Sequence, residues 1–451
     1  MSASDHQAEQ VQLRVEALVK QGDLDAVGKL TAGLHPSDLA DLVEGLEEEQ
    51  RILLLSALPA EIASETLAEM EEGEDRGELL AALSPEKGAE LLHELADDDA
   101  ADLISELAPS DQLRILEALP VAAADELIGL LKYGEDTAGG LMTTELVAVE
   151  ATLTARQAIE EVRRQGRQIE EFYTVFVVDR RRRLLGTLRL DDLVIADPDA
   201  SIETLVEPPL ATVHPDVDQE EVGRLIGRYN LASIAVVSDA GVLLGRITFD
   251  DVIDVIEAEQ TEDILLLAGV TDEDELRHGW SESVRARLPW LMLNLVTATL
   301  AASIILIFED VIARALTLAF LAPIIAAMGG SSGTQSLAIT IRRITVEGTG
   351  SARGFVLKEI LVGLVNGVVL GAGIAALALV VDGDPMLGLV VLLAMWGNLV
   401  VAGFAGAFVP TTLDRLGVDP SVASSVFVHT LTDLCGFFLL LGLASKLLLA
   451  P

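Results

Sequence analysis

Apolar residues recur along this chain in three successive rhythms, each predicting a different kind of element. Across residues 10–132 they return every three or four positions in short bursts, the period of amphipathic helices buried on one face. Leu34-His35-Pro36 and Leu83-Ser84-Pro85 punctuate the bursts; proline suits a first helical turn, where its missing N–H costs nothing. Residues 46–59 echo residues 107–120, so the short helices read as a small α-superhelix.

Between residues 142 and 258 the rhythm changes to β-branched runs alternating with helices, and it repeats. Phe176-Val177-Val178-Asp179 matches Ala235-Val236-Val237-Ser238, Leu185-Gly186 matches Leu244-Gly245, and Leu190-Asp191-Asp192-Leu193 matches Phe249-Asp250-Asp251-Val252, all at an offset of 59. Each unit reads as an amphipathic helix, a strand, a turn, a second strand ending at glycine, and a helix capped by aspartate. This tandem pattern resembles a pair of cystathionine-β-synthase (CBS) domains, which stack into a disc and often bind adenine nucleotides. Gly245-Arg246-Ile247-Thr248-Phe249-Asp250-Asp251 is similar to that family's ribose-binding motif through Thr248 and Asp251. The resemblance implies ATP or another adenine nucleotide there, while Arg189 replaces the expected Thr or Ser in the first unit. A regulatory pair holding no nucleotide stays open as an alternative. The arginines at 180–183 fall in a hairpin turn and read as solvated. Residues 250–267 then keep apolar positions at helical spacing and leave Asp251, Asp254, Glu262 and Asp263 on other faces. They read as a connector able to couple soluble domains to the first span, or as a surface helix.

The third rhythm is five apolar stretches, 288–308, 311–341, 355–381, 386–413 and 422–449, each long enough for the roughly 20 residues that cross a bilayer. Met328-Gly329-Gly330-Ser331-Ser332-Gly333-Thr334-Gln335 interrupts the second, which is expected to be a broken or pore-lining helix, because irregular backbone at depth needs protein or a water-filled cavity around it. The fifth contains one carboxylate, Asp433. An ionisable group at membrane depth costs at least a few kcal/mol, so it points to a pathway or a partner. His429, one helical turn away on the same face, reads as a hydrogen-bonded wall residue or as a group that tunes the site. Asn366 and Asn398 read as helix-to-helix hydrogen-bonding groups or as pore groups, and Glu359 stands at the start of the third stretch. Arg285, Arg287, Arg342, Arg343, Arg353, Lys358 and Arg415 fall on one side of the spans. Positive charge inside puts the N-terminal portion in the cytoplasm and the C-terminus outside.

Composition sharpens this division. The 451 residues have room for about three domains. Residues 1–284 hold 63 acids against 21 bases, whereas residues 285–451 hold nine of each, so the whole net charge of −42 lies in the first portion. Mean hydropathy is nevertheless +0.44, which requires a greasy second portion. The charge sign disfavours nucleic acid as a partner. The acid excess reads as a solvated face or adaptation to a salty cytoplasm, or as a cation sensor in which facing carboxylates repel until a hard cation bridges them. Met1 to Gln10 lack the apolar core of a cleaved signal peptide. Cys435, the single cysteine, allows no intrachain disulfide. No His-Glu-x-x-His and no Gly-x-x-x-x-Gly-Lys-Ser/Thr occurs, which excludes a metalloprotease and a P-loop pump; no catalytic residues are expected.

The order of parts and several long motifs resemble the MgtE family of magnesium channels and transporters. The carriers are Pro323-Ile324-Ile325-Ala326-Ala327-Met328-Gly329-Gly330-Ser331-Ser332-Gly333-Thr334-Gln335-Ser336, residues 358–367, residues 416–425 and Thr430-Leu431-Thr432-Asp433. Ser331 replaces the family's usual Asn, and Ser425-Val426 stands where Gly-Pro or Asn-Pro is frequent. The resemblance implies a multi-domain membrane protein: an acidic α-helical superhelix (1–137), an α/β tandem CBS pair (138–199 and 200–250), a connecting plug helix (251–282) and an α-helical transmembrane domain of five spans (283–451). It further implies a homodimer in the lipid bilayer with a Mg²⁺ pore on the two-fold axis. Asp433 would meet the ion, with Gly329, Gly330, Ser331, Gln335, Ser425 and Asn366 in the pore region. Regulatory Mg²⁺ would sit among Asp218, Glu220, Asp251, Asp254, Glu262, Asp263 and, in the helical domain, Asp98 or Asp102, closing the pore when the cation is plentiful. A CBS-regulated channel or carrier for another divalent cation or solute is the alternative; a membrane-anchored sensor without transport is a third.

Overall fold

Helical residues at 14–15 and 17–19 open the described part of the chain, and nine short helices follow: α1 (Leu24–Thr31), α2 (Pro36–Glu44), α3 (Glu48–Ala57), α4 (Ala60–Ala68), α5 (Glu74–Ala82), α6 (Pro85–Glu94), α7 (Asp97–Ser105), α8 (Pro109–Leu116) and α9 (Val121–Leu130). The computed structural model describes residues 14–15, 17–19, 24–31, 33–70, 74–167, 169, 172–270, 280–347, 352–421 and 424–448. The polar start at 1–10, part of the connector at 271–279, and the ends of the fifth apolar stretch lie outside these residues. Pro36, Pro85 and Pro109 occupy first turns, and the Ser84 hydroxyl accepts the Lys87 N–H. Each helix packs on the helix two along, giving the layers α1–α3–α5–α7–α9 and α2–α4–α6–α8 of the expected superhelix. Arg76 ties α5 to α7: buried, it pairs with the Glu106 carboxylate and also donates to the Ala68 carbonyl.

Two equivalent units follow. The first has β1 (Ala148–Glu150), α10 (Ala155–Gln165), β2 (Thr174–Val178), β3 (Leu184–Arg189) and α11 (Leu190–Ile195); the second has β4 (Thr212–Val213), α12 (Gln219–Tyr229), β5 (Ser233–Val237) and β6 (Leu243–Thr248). In each three-stranded sheet the first pair is parallel and the second antiparallel, with a register shift at the same place, Val177/Val178 and Val236/Val237. The second strand does not end at its glycine but runs three residues further. Gly186 and Gly245 instead let the Glu207 and Thr143 carbonyls, from segments crossing over from the other unit, pass against the strand. Leu146, Phe176, Val178, Ala235 and Leu243 close the core between the two sheets. The superhelix core continues into the second unit through Val213, Val222, Ile234 and Ile247, so residues up to 256 cluster as one compact unit.

One 20-residue helix, α13 (Phe249–Ala268), covers residues 250–267, whose apolar spacing is helical. The second compact unit, 257–451, contains α14 (Trp280–Ile307), α15 (Glu309–Arg314), α16 (Thr317–Glu347), α17 (Ala352–Asp382), α18 (Pro385–Arg415) and α19 (Ser424–Leu447). All but α15 are long and apolar enough to span a bilayer. Two expectations are corrected here. The second span starts at Thr317, because residues 309–314 form the separate short helix α15. Moreover, α16 is unbroken: Met328 to Gln335 stays helical, its glycines serving close contact with neighbouring helices instead of interrupting the backbone. Helix α18 is central and packs on α16, α17 and α19. Gly363, Gly367 and Gly371 form a small-residue stripe on α17 against Leu399, Trp396 and Leu392; a Cβ at Gly367 would lie 2.9 Å from the Trp396 Cα.

Candidate ion path and cation-sensing surface

Helical spacing puts Pro323, Ala327, Gly330, Ser331, Thr334, Gln335 and Ala338 on one face of α16, and His429, Asp433 and Phe437 on one face of α19. These faces line a cleft of about 790 Å³ that is apolar except for Ser331, Thr334, Gln335, His429 and Asp433. Four of the residues expected in the pore, Asp433, Gly330, Ser331 and Gln335, therefore come together. The others do not. Gly329 is turned about 100° from Gly330 around the helix and meets Asn398, with Thr432 beside it. Ser425 adds its backbone carbonyl to the His429 ring and is absent from the cleft wall. Asn366 is exposed on α17, whose main packing partner is α18.

His429 has the wall geometry expected of it. A carbonyl can only accept, so His429 Nδ1–H donates to the Ser425 oxygen at 2.8 Å. Asn398 has the helix-to-helix role: wholly buried, its Nδ2 donates to the Ile325 carbonyl of α16 at 3.0 Å. Its Oδ1 is enclosed without a partner among the described residues. Asn398 fits only because Gly329 and Gly436 have no side chains; a Cβ on Gly436 would lie 2.9 Å from Nδ2. Glu359 is buried on α17, its carboxylate 3.6 Å from the Lys358 amine.

The acids assigned to sensing fall in three places. At the start of α7, Asp97 accepts from the Thr143 hydroxyl at 2.5 Å, the Thr144 N–H at 3.0 Å and the Thr144 hydroxyl, clamping the superhelix to the segment that leads into β1. Beside it, Asp98 Oδ1 is enclosed with no hydrogen-bond partner among the described residues. Burial holds the Asp98 carboxyl well above the usual carboxylate range, and repulsion from Asp99, Asp251 and Asp97 adds to this. Asp251 faces the same region; its carboxylate accepts the Thr248 hydroxyl at 2.5 Å and is raised by burial, with that hydrogen bond opposing. The expected nucleotide pair, Thr248 and Asp251, is thus bonded to itself at the start of α13. Arg246 is buried here, donates to the Glu145 carbonyl at 2.8 Å, and has Asp98, Asp250 and Asp251 as neighbouring charges.

Second, Asp218 caps α12, accepting the Glu220 N–H at 2.9 Å. Third, further along α13, Asp263 accepts the Ser421 hydroxyl, near Asp419 and Arg342; burial raises its carboxyl. Asp254 lies on the exposed side of α13, and Glu262 beside Asp263 is half-buried. Among the described residues, no three of these acids converge as a ready-made metal site. The Asp97 clamp and the Gly329–Asn398–Gly436 socket had no local signal in the sequence; the α17 stripe had one that went unread, the Gly-x-x-x-Gly-x-x-x-Gly spacing from Gly363.

Five spans, a carboxylate in a helix-lined cleft and a soluble α/CBS unit define a multi-pass membrane protein of the regulated ion-transporter class. Comparison with known proteins specifies it. Residues 322–443 match the MgtE divalent cation transporter family, residues 34–136 match the MgtE intracellular N domain, and residues 138–199 and 201–258 match CBS domains. The chain is 35% identical over 447 residues to magnesium transporter MgtE of Thermus thermophilus, covering 98% of this chain and 99% of that protein. It is 37% identical over 448 residues to magnesium transporter MgtE of Enterococcus faecalis, covering 99% and 98%. The crystal structure of the cytosolic domain of the Mg²⁺ channel MgtE in complex with ATP is 36% identical and spans 54% of this chain and 99% of that one, with a TM-score of 0.52. The chain belongs to the MgtE family, a family of transporters and not of enzymes.

Proposed function

We propose that this protein carries Mg²⁺ across the cell membrane through a pore bordered by the α16–α19 cleft, and that cytosolic Mg²⁺ closes it. The observation that carries the transport reading is Asp433 in a cleft whose other polar groups are neutral side chains and one imidazole. Mg²⁺ sheds water reluctantly, so a sparse site of one carboxylate per subunit captures a largely hydrated ion and still releases it. Two copies would pair their clefts on a two-fold axis, each contributing Asp433. The positive flanks of the spans support N-terminal domains in the cytoplasm and a C-terminus outside. We take 1–137, 138–199, 200–250, 251–282 and 283–451 as the functional divisions.

The closing signal would be read by Asp98, Asp218, Glu220, Asp251, Asp254, Glu262 and Asp263. The enclosed, partnerless Asp98 Oδ1 beside Asp251 suits a cation, which would relieve the repulsion among Asp97, Asp98, Asp99 and Asp251. The acids near Asp263 would hold α13 as a plug. The ATP in the related cytosolic domain supports an adenine nucleotide at the CBS pair, reached by opening the Thr248–Asp251 bond. The test is Mg²⁺ flux into proteoliposomes, with low or high Mg²⁺ on the side of the soluble domains. Wild type is expected to conduct at low Mg²⁺ and fall at least tenfold at high Mg²⁺, and Asp433→Ala to fall at least a hundredfold in both. Flux of well-folded protein that ignores Asp433 would sink the pore assignment.

A further inference from the structure

His429 and Asp433 stand at positions i and i+4 on α19 and line the same cleft. This is the spacing at which two side chains on one helical face grip one metal ion, as in His-x-x-x-His pairs. The His429 ring is held as a ligand would be. Its Nδ1–H is spent on the Ser425 carbonyl at 2.8 Å, which leaves the Nε2 lone pair as the free edge. Metal-ligating histidines almost always engage the other ring nitrogen in this way. Across the cleft, Gly330 supplies the room: a Cβ there would stand 3.0 Å from His429 Cδ2 and 3.3 Å from Nε2. Among the described residues no third His, Cys, Asp or Glu joins the pair, so the cleft offers one nitrogen and one carboxylate, with water completing a shell.

Such a donor set discriminates. Mg²⁺ is a hard ion that keeps its water and oxygen ligands and gains little from imidazole. Co²⁺ and Ni²⁺ bind imidazole well and stand higher in the divalent affinity series. We infer that His429 and Asp433 form a two-point site for transition-metal divalent cations in the cleft, at which Ni²⁺ and Co²⁺ lodge and block Mg²⁺. The block rests on the reading of the cleft as the ion path; the binding site itself does not.

The experiment measures Mg²⁺ flux of the full-length protein in proteoliposomes against graded Ni²⁺, for wild type, His429→Gln and His429→Thr, each scaled to its own flux without Ni²⁺. The half-blocking Ni²⁺ concentration should rise tenfold or more in both variants; a smaller rise overturns the block. In parallel, Co²⁺ is added to the purified full-length proteins and the visible absorption of His429→Gln is subtracted from that of wild type, which cancels the other histidines. A residual cobalt–imidazole band supports the site, and a flat difference overturns it even where no flux is measured. Absent Mg²⁺ flux from wild type with a positive cobalt band would reject the ion path and keep the metal site.

Discussion

Asp98 has one carboxylate oxygen enclosed without a hydrogen-bond partner among the described residues, beside Asp97, Asp99 and Asp251. Its carboxyl is raised mainly by burial, so the folded protein binds that proton more tightly than the unfolded chain. The sign follows: this residue's contribution to stability is full below the ordinary carboxylate value and is lost as pH rises through its elevated folded value. Once ionised, the buried Asp98 is a net liability that a cation would relieve. Asp98→Asn should therefore stabilise the Mg²⁺-free protein at neutral pH by about 1–2 kcal/mol. It should also shrink the gains from acidification and from added Mg²⁺, read as shifts in thermal melting of the soluble unit; a drop in melting temperature at neutral pH would contradict this account. In the membrane unit the equivalent residue is Asn398, which bonds the Ile325 carbonyl from a socket made by two glycines. Asn398→Leu removes that bond and forces a branched side chain against Gly329 and Gly436. Mg²⁺ flux should fall at least tenfold, with a membrane unit destabilised by about 2 kcal/mol in denaturant titration.

Among the elements, α17 and α18 depend on the Gly363, Gly367 and Gly371 stripe, which brings their backbones to near contact. Lipid is as apolar as the helices, so close packing replaces the hydrophobic effect as the force joining them. Gly367→Leu would collide with the backbone of Trp396 and is expected to cost about 3 kcal/mol, giving aggregated or poorly recovered protein on size exclusion in detergent. Recovery equal to wild type would show that the stripe is dispensable. Helix periods, the proline starts and the two CBS units were legible because each rests on residues close in sequence. Continuity of α16 was not legible. Gly329, Gly330 and Gly333 look like breaks in isolation, and only their neighbours Asn398, His429 and Val428 explain them as contact points.

At the level of the whole molecule, the acids assigned to sensing are dispersed over α7, α12 and both ends of α13 instead of gathered in one preformed cage. On the proposed reading such an arrangement would answer a cation by having it screen neighbouring carboxylates, so Mg²⁺ at millimolar levels should slow proteolysis of the soluble portion of the intact protein at least threefold; identical cleavage with and without Mg²⁺ would remove the feedback reading. The sequence by itself determined the segregation of 63 acids and 21 bases into the first 284 residues, the doubled α/β unit, the five spans and Asp433 as the single acid of the fifth, because hydrophobic period and charge are local properties of the chain. Only the tertiary structure decided that Asp97 meets Thr143 and Thr144, that Asn398 meets Ile325, and that Asp433 shares its cleft with Gly330, Ser331 and Gln335 but not Gly329. Those meetings join residues far apart in sequence, and which faces touch is set by how whole helices pack.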